Sequence, residues 1–357
     1  MPDPPDVEVI GGGVTGCACA LALAEAGCTV RLHEAREIAS GASGRNGGFA
    51  LRGTAAAYDV AAESIGRDPT RELWRWTETT LDRIETLANE AFRRTGSLRL
   101  ATDDDERSAL RIEFDGLRRD GFAAEWVDDL PAPLTGRFAA AIFHPPDGAI
   151  HPARFVRRLA LLAAELGVEI RERSRVRSLD ELRAEHVVVA TDGYASGLLG
   201  MLERLIIPTR GQMLATEPVG ERLFECPHYS RHGFDYWQQL ESGRILAGGF
   251  RDVALDSEFT ADEETTAPIQ EALEALVADL VGRPLTITHR WAGIFGLVLD
   301  FLPVVGRVPD TERLWIAGGY SGHGNVLGVG CGELVARAIA GDESPLLEHF
   351  DPARLLA

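Results

Sequence analysis

Gly11, Gly13 and Gly16 stand at G-x-G-x-x-G spacing directly after the β-branched run Val7 to Ile10. That spacing suits one task, holding a pyrophosphate. The first glycine permits a tight turn, the second lets the backbone approach the phosphates, and the third lets the next helix pack on the strand. The helix opened by Val14 and Thr15 then offers the anion its unpaired N–H groups and the positive end of its dipole. Glu34 closes the second strand, where a carboxylate accepts hydrogen bonds from ribose hydroxyls. Alone, spaced glycines read as a glycine-rich turn; with strand, helix and acid in place they predict a dinucleotide site.

Other stretches add to the chemistry. Ser40 to Phe49, SGASGRNGGF, is too rich in small residues for a stable helix or strand. Its Arg45 and Asn46 sit among glycines that let backbone close on a flat ligand; a flexible loop is the alternative. His186 to Ala190 runs into Thr191, Asp192, Gly193 and Tyr194, a strand ending in a small polar turn at the sheet edge where α/β folds meet ligands. Gly318 to Gly328, GGYSGHGNVLG, forms a second glycine-rich strand-to-helix turn near the far end of the chain. If both turns touch one cofactor, that cofactor is long.

The elements that position these residues read in order. Val14 to about Ala26 is a helix with Gly27 as its C-cap, and Cys28 to His33 is the second strand. Pro69 to Arg94 has the helical spacing of Leu73, Trp76, Thr80, Ile84, Leu87 and Phe92. Strands are expected at Ser97 to Ala101, Glu125 to Val127 and Ala139 to Phe143, with a charged helix from Asp104 to Arg119. Pro152 opens another helix, followed by short strands at Val168 to Ile170 and Arg175 to Arg177. Met213 to Glu217, Phe234 to Gln239 and Arg244 to Gly249 alternate as antiparallel strands do; Ala267 to Val281 is a helix, and Leu285 to Trp291 a strand. A strand at Leu314 to Ala317 and a helix over Val329 to Ala340 end the chain.

The chain has 357 residues, which makes two domains the default, and 36 basic against 55 acidic residues give a net charge of −19. That balance repels nucleic acid and anionic membranes and suits small-molecule chemistry. It draws a cationic substrate toward a cleft, or serves solubility alone. Lysine is absent, so Schiff-base chemistry on lysine is excluded. The five cysteines lack metal-ligand or C-x-x-C spacing, which points to a reducing compartment; no metal site is expected. No apolar run approaches the ~18 residues of a membrane span, and a cytoplasmic protein is expected.

VIGGGVTG with Glu34, GASGRNGG, VVVATDGY, and the tail from WAGIFGLVLDFLPVVGR to GGYSGHGNVLG together resemble the flavin-dependent D-amino-acid oxidase superfamily, nearest the γ-glutamylputrescine oxidase and glycine oxidase branches. The resemblance covers nearly the whole chain. It implies an α/β fold: a glutathione-reductase-like, Rossmann-type FAD-binding domain from residues 1–94, 150–212 and 305–357, and an α+β substrate domain on an antiparallel sheet from 95–149 and 213–304. The implied cofactor-binding residues are Gly11, Gly13, Val14, Thr15, Gly16, Glu34, Ala35 and Arg36; Ser43, Gly44, Arg45, Asn46, Gly47 and Gly48; Val176, Ala190 and Thr191; and Tyr320, Gly322, His323, Gly324 and Asn325. Val176 lies at adenine through its backbone. The GGYSGHG turn sets a helix N-terminus near the flavin pyrimidine edge, where a positive dipole stabilises reduced flavin. No cysteine or histidine lies within Ser40 to Phe49 or Trp291 to Asp300, so FAD is expected without a covalent bond.

The implied reaction passes a hydride from the carbon beside a neutral amine to flavin, with oxygen reduced to hydrogen peroxide or another acceptor taking the electrons. Glycine- and sarcosine-oxidase-like relatives carry an arginine for the substrate carboxylate where Phe295 aligns. A phenyl ring cannot pair with a carboxylate. A simple α-amino acid is therefore disfavoured, and the stretches FLPVVGR, GYSGHG, DGAIHP and FDYW resemble the γ-glutamylputrescine oxidase branch, which implies a primary amine such as γ-glutamylputrescine or a polyamine derivative as substrate. An amino-acid oxidase or dehydrogenase is the alternative, and needs Arg52 or Arg251 as carboxylate anchor. An FAD-bearing subunit that passes electrons to a partner protein, or a silent flavin-binding protein, remains open. Asp300 is the candidate for holding the amine, or else a turn or capping residue. His323 tunes the flavin, touches the amine, or only bonds within its turn. Tyr236 and Trp237 wall the pocket or simply pack. His144 and His151 are read as structural.

Overall fold

Four short apolar strands, Val7–Ile10, Val30–His33, His186–Val189 and Leu314–Gly318, lie parallel at the heart of a six-stranded sheet. Glu169–Arg171 extends it in parallel at one edge, and Val304–Arg307 closes the other edge antiparallel. Val7, Val9 and Val188 enter one apolar cluster, while Ile10, Val187 and Val189 enter another on the opposite face. Two apolar faces are what a parallel sheet between covering layers requires. In this computed structural model residues 4–195, 197–200 and 202–356 are described; the outermost parts of the expected first and last segments, 1–3 and 357, lie outside them.

The helix Val14–Glu25 packs against the helix Gly324–Ile339. Glycine makes this approach possible, since a Cβ on Gly328 would stand 2.7 Å from Val14 Cγ1, and one on Gly332 would stand 2.6 Å from Thr15 O. The C-terminal helix begins at Gly324, not at Val329 as its propensity suggests. Asn325 in its first turn bonds Phe49 O at 2.8 Å and Asn46 Oδ1 at 3.0 Å, so tertiary contacts overcome the poor helix propensity of Gly and Asn.

An eight-stranded sheet lies beside the first, in the order Ile287–Leu297, Ile207–Pro218, Arg244–Gly249, Asp235–Gln239, His228–Ser230, Ser97–Ala101, Ala140–His144, Glu125–Val127. All its neighbours are antiparallel except His228–Ser230 with Ser97–Ala101. One face packs on the helix Ala267–Val281 through Leu214, Trp237, Ile269 and Leu273, and the other turns toward the parallel sheet. The strand Ile207–Pro218 runs across residue 212, where one expected segment ends.

Three local readings change. Ser40 to Phe49 contains one helical turn, Ala42–Arg45, because Asn46 Nδ2 bonds the carbonyls of Ala42 and Ser43 at its C-terminal end. The helix expected over Pro69 to Arg94 is Arg67–Ala88; Asn89 breaks it at φ 51°, and Phe92–Arg93 pairs with Gly148–Ile150. Arg175 to Arg177 is not a strand: the sheet edge is already taken by Glu169–Arg171, and Ser174 N turns back to Glu34 O.

The two sheets are joined at Asp192, in the left-handed region at φ 47°. Its carboxylate accepts from Gly296 N at 2.9 Å and from Gly319 N at 2.7 Å, tying the turn after His186–Val189 to a strand of the second sheet and to the C-terminal strand. Asp192→Ala strands two backbone donors, each costing ~1–3 kcal/mol. The expected outcome is a loss of about 2–4 kcal/mol in urea unfolding with the m-value unchanged.

Candidate active site

Between the two sheets lies a cavity of about 970 Å³, near the upper end of the usual range for ligand sites. Its first end is built by the glycine turn, with Gly11, Gly13, Val14 and Thr15 on its wall beside Glu34, Ala35 and Arg36. Glu34 accepts from Gly12 N at 2.8 Å and Arg36 N at 2.7 Å, which holds it against the turn. Gly13 leaves room for Ser43, whose Oγ would stand 3.0 Å from a Cβ at that position. Val176, Ala190 and Thr191 line the cavity further along. Thr191 Oγ1 is buried with no hydrogen-bond partner among the described residues.

The middle is walled by Ser43, Arg45, Asn46 and Gly47 opposite Tyr320, Gly322, His323, Gly324 and Asn325. Asn46 and Asn325 exchange amide hydrogen bonds at 3.1 and 3.0 Å, locking the loop to the C-terminal helix. Thr15 Oγ1 donates to Tyr320 Oη at 2.9 Å, linking the two glycine turns. Gly16, Gly44 and Gly48 do not reach the cavity; a Cβ on each would strike the carbonyl of Gly11, Ala39 or Ile150, so they serve backbone packing.

Tyr236 lines the far end, while Trp237 points the other way into the core, as strand alternation demands. A Cβ on Gly47 would stand 3.2 Å from the Tyr236 ring, so that glycine admits the aromatic wall. His323 Nδ1 is shielded and has no partner among the described residues, and burial together with the Arg99 and Arg251 charges brings its pKa down to about 4. The imidazole is therefore neutral at ordinary pH. Asp300 stands elsewhere. It is not on the cavity wall, accepts from Leu302 N at 3.1 Å, and pairs with Arg354 at 2.9 Å. A turn-capping carboxylate already balanced by a guanidinium is not available to hold an amine.

The two arginines proposed as carboxylate anchors separate cleanly. Arg52 is buried and committed to Glu78 at 2.7 Å, Ala123 O at 3.0 Å and His144 at 3.2 Å. Arg251 lines the cavity with no hydrogen bond or ion pair among the described residues. It lies over the rings of Phe234 at 4.3 Å and Phe295 at 5.9 Å. Burial lowers its pKa without approaching neutrality.

Sequence reasoning missed Glu263. It binds Arg36 at 2.8 Å, Arg45 at 2.6 Å and the Tyr194 hydroxyl at 2.8 Å, and its pKa stays low because these contacts outweigh its desolvation. No motif marks it, since it lies in an irregular segment and meets partners distant in sequence. His144 and His151 are structural, the second capping the helix Pro152–Glu165. Among the described residues no cluster of three His, Cys, Asp or Glu could hold a metal, and no helix is long and apolar enough to cross a membrane.

The family model for FAD-dependent oxidoreductases of the D-amino-acid oxidase type matches residues 6–338. The chain is 29% identical over 374 residues to gamma-glutamylputrescine oxidoreductase of Escherichia coli, covering 97% of this chain and 85% of that one. It is 25% identical over 379 residues to glycine oxidase of Bacillus licheniformis, covering 98% and 97%. Among solved structures, L-proline dehydrogenase from P. horikoshii matches with a TM-score of 0.84 at 23% identity over 100% and 99% of the two chains, a likeness of fold. With a Rossmann-type sheet, a second antiparallel sheet and a cavity between them that both glycine turns line, the chain belongs to the FAD-dependent oxidoreductase family named for D-amino-acid oxidase, and its cofactor is FAD.

Proposed function

We propose that the protein oxidises the C–N bond of an amino acid whose carboxylate is held by Arg251. The observation that carries this reading is the unpaired guanidinium of Arg251 beside Phe295. Phe295 removed the expected anchor from its own position, and Arg251 supplies a cation at the same wall. A half-buried cation whose N–H donors have no acceptor among the described residues repels an unsubstituted polyamine and suits a carboxylate. The second reading, a γ-glutamylputrescine-like primary amine with a remote carboxylate, is favoured by Phe295 itself and by the Escherichia coli relative.

The residues present fit the cofactor. The glycine turn and the first turn of Val14–Glu25 would hold its pyrophosphate, Glu34 its ribose, and Thr191 Oγ1 and His323 Nδ1 are buried polar atoms still lacking a partner. No cysteine or histidine lies in the loop 40–49, so we assign non-covalent binding. Bound there, FAD supplies the hydride acceptor and, on reoxidation by oxygen with formation of hydrogen peroxide or by another acceptor, the route by which the electrons leave. The protein's own part is positioning. Arg251 fixes the carboxylate, Tyr236 and Phe295 exclude water, and neutral His323 accepts a hydrogen bond from the amine without imposing a second positive charge. Hydride loss leaves an imine, which water converts to a carbonyl compound and ammonia, or a smaller amine. This reading assigns 1–94, 150–212 and 305–357 to the FAD-binding domain, except that the strand Ile207–Pro218, part of the eight-stranded sheet, goes with the remainder in the substrate domain, in a cytoplasmic enzyme.

The flavin spectrum, followed anaerobically during titration with glycine, sarcosine, D- and L-amino acids, γ-glutamylputrescine and putrescine, tests the substrate. Bleaching by α-amino acids is expected; bleaching confined to amines without an α-carboxylate overturns the reading. Arg251→Met is expected to lower kcat/KM for the best amino acid roughly 30-fold or more, the value of a desolvated charge contact.

The depressed pKa of His323 also has a sign in stability. The unfolded chain binds a proton near pH 6.5 and the folded one only near about 4, so stability falls as pH drops through that window and levels off below it. His323→Gln is expected to lose less stability than the parent over that interval in urea titrations, with His228, lowered to about 4, and His144, His33 and His151, all lowered by burial, producing the residual slope.

A further inference from the structure

Past Tyr236 the cavity continues into an arm that the reaction above does not use. Strand register pairs Tyr236 with Tyr229 and Tyr229 with Arg99, so these side chains stand in one row on three adjacent strands and face the same way. All three line the cavity. With neighbouring strands ~4.8 Å apart, Arg99 stands about 10 Å from Tyr236. Val60, 50% exposed, also lines the cavity.

Two features mark the arm as built for a ligand. Arg99 uses one of its five N–H groups, Nη1, on Glu113 at 2.6 Å, and its Nε is buried with no acceptor. The Tyr229 hydroxyl has no hydrogen-bond partner among the described residues, although its ring lies 6.0 Å from the Arg99 guanidinium. A buried donor without an acceptor, as Arg99 Nε is, is costly, and a ligand oxygen in this arm would take hydrogen bonds from Arg99 and from the Tyr229 hydroxyl.

We propose that Arg99 and Tyr229 form a distal subsite for a carboxylate or amide carbonyl, so that the preferred substrates are extended amino acids carrying such a group about 10 Å from Tyr236. This deepens the reading in which Arg251 holds the near carboxylate, and rests on it. Arg251 and Arg99 then grip the two ends of one molecule, while its C–N bond lies beside His323.

The test uses ligands that have no C–N bond to oxidise. Acetate and α,ω-dicarboxylates of increasing chain length are titrated into the FAD-loaded enzyme, and the shift in flavin absorbance gives each Kd. Affinity is expected to rise about tenfold or more from acetate to the diacid that spans both arginines, the worth of a charge-assisted hydrogen bond, and to fall again for longer chains. That gain shrinks in Tyr229→Phe and in the paired variant Arg99→Met/Glu113→Leu, which leaves no buried carboxylate unbalanced. A Kd independent of length, or a gain that survives in both variants, overturns the subsite. If the diacids show the length preference while no amino acid reduces the flavin, the amino-acid reading fails and the subsite stands. If amino acids reduce the flavin and the diacids show no length preference, the subsite alone fails.

Discussion

The Asp192 carboxylate is the contact on which the site depends. Two sheets of different design must meet at a fixed offset for the cavity between them to have a defined shape. Asp192 sets that offset by accepting backbone N–H groups from Gly296, in the antiparallel sheet, and Gly319, at the end of the C-terminal parallel strand. Directional hydrogen bonds to a buried carboxylate hold position better than apolar contact, which tolerates sliding. Gly193 and Gly296 carry no side chain because the segments are too close: a Cβ on Gly193 would stand 2.8 Å from the backbone of Phe295. The cost is a carboxylate whose pKa burial raises in spite of its donors.

Charge is distributed against the average. The chain carries a net −19, yet among the described residues the far end of the cavity presents Arg251 without an ion pair and Arg99 with a single hydrogen bond, to Glu113. Local arrangement, not net charge, decides what a desolvated pocket accepts, because water screens the surface charges and not those lining the pocket. The composition-based expectation of a cleft attracting cations therefore does not extend to this end. At the middle of the cavity Arg45, in the segment 40–49, shares the carboxylate of Glu263 with Arg36, and Glu263 thereby ties the irregular segment after Arg244–Gly249 to Arg36, Arg45 and Tyr194.

Much of the cofactor half was legible in the chain. Val7 to Glu34 carries its instructions locally: the glycine spacing, the helix and the acid lie within one strand-turn-helix-strand unit, and all obey short-range sterics. The C-terminal turn was legible as a glycine-rich element, although its helix starts at Gly324 because Asn325 is held from outside by Asn46 and Phe49. Asp300 was misleading for the same kind of reason. Its partner, Arg354, lies 54 residues away, and no local pattern announces that pairing.

The sequence by itself determined the dinucleotide unit, the strand alternation that sets Tyr236 and Trp237 on opposite faces, and the absence of lysine chemistry, since each follows from residue type and neighbour spacing. Tertiary structure alone decided that Arg251 is free while Arg52 is spent, that Glu263 closes on Arg36 and Arg45, and that Arg99, Tyr229 and Tyr236 share one row. Those facts depend on which strands pair, in what register, and which charges meet across the chain. They are properties of long-range contacts whose partners the local sequence does not encode.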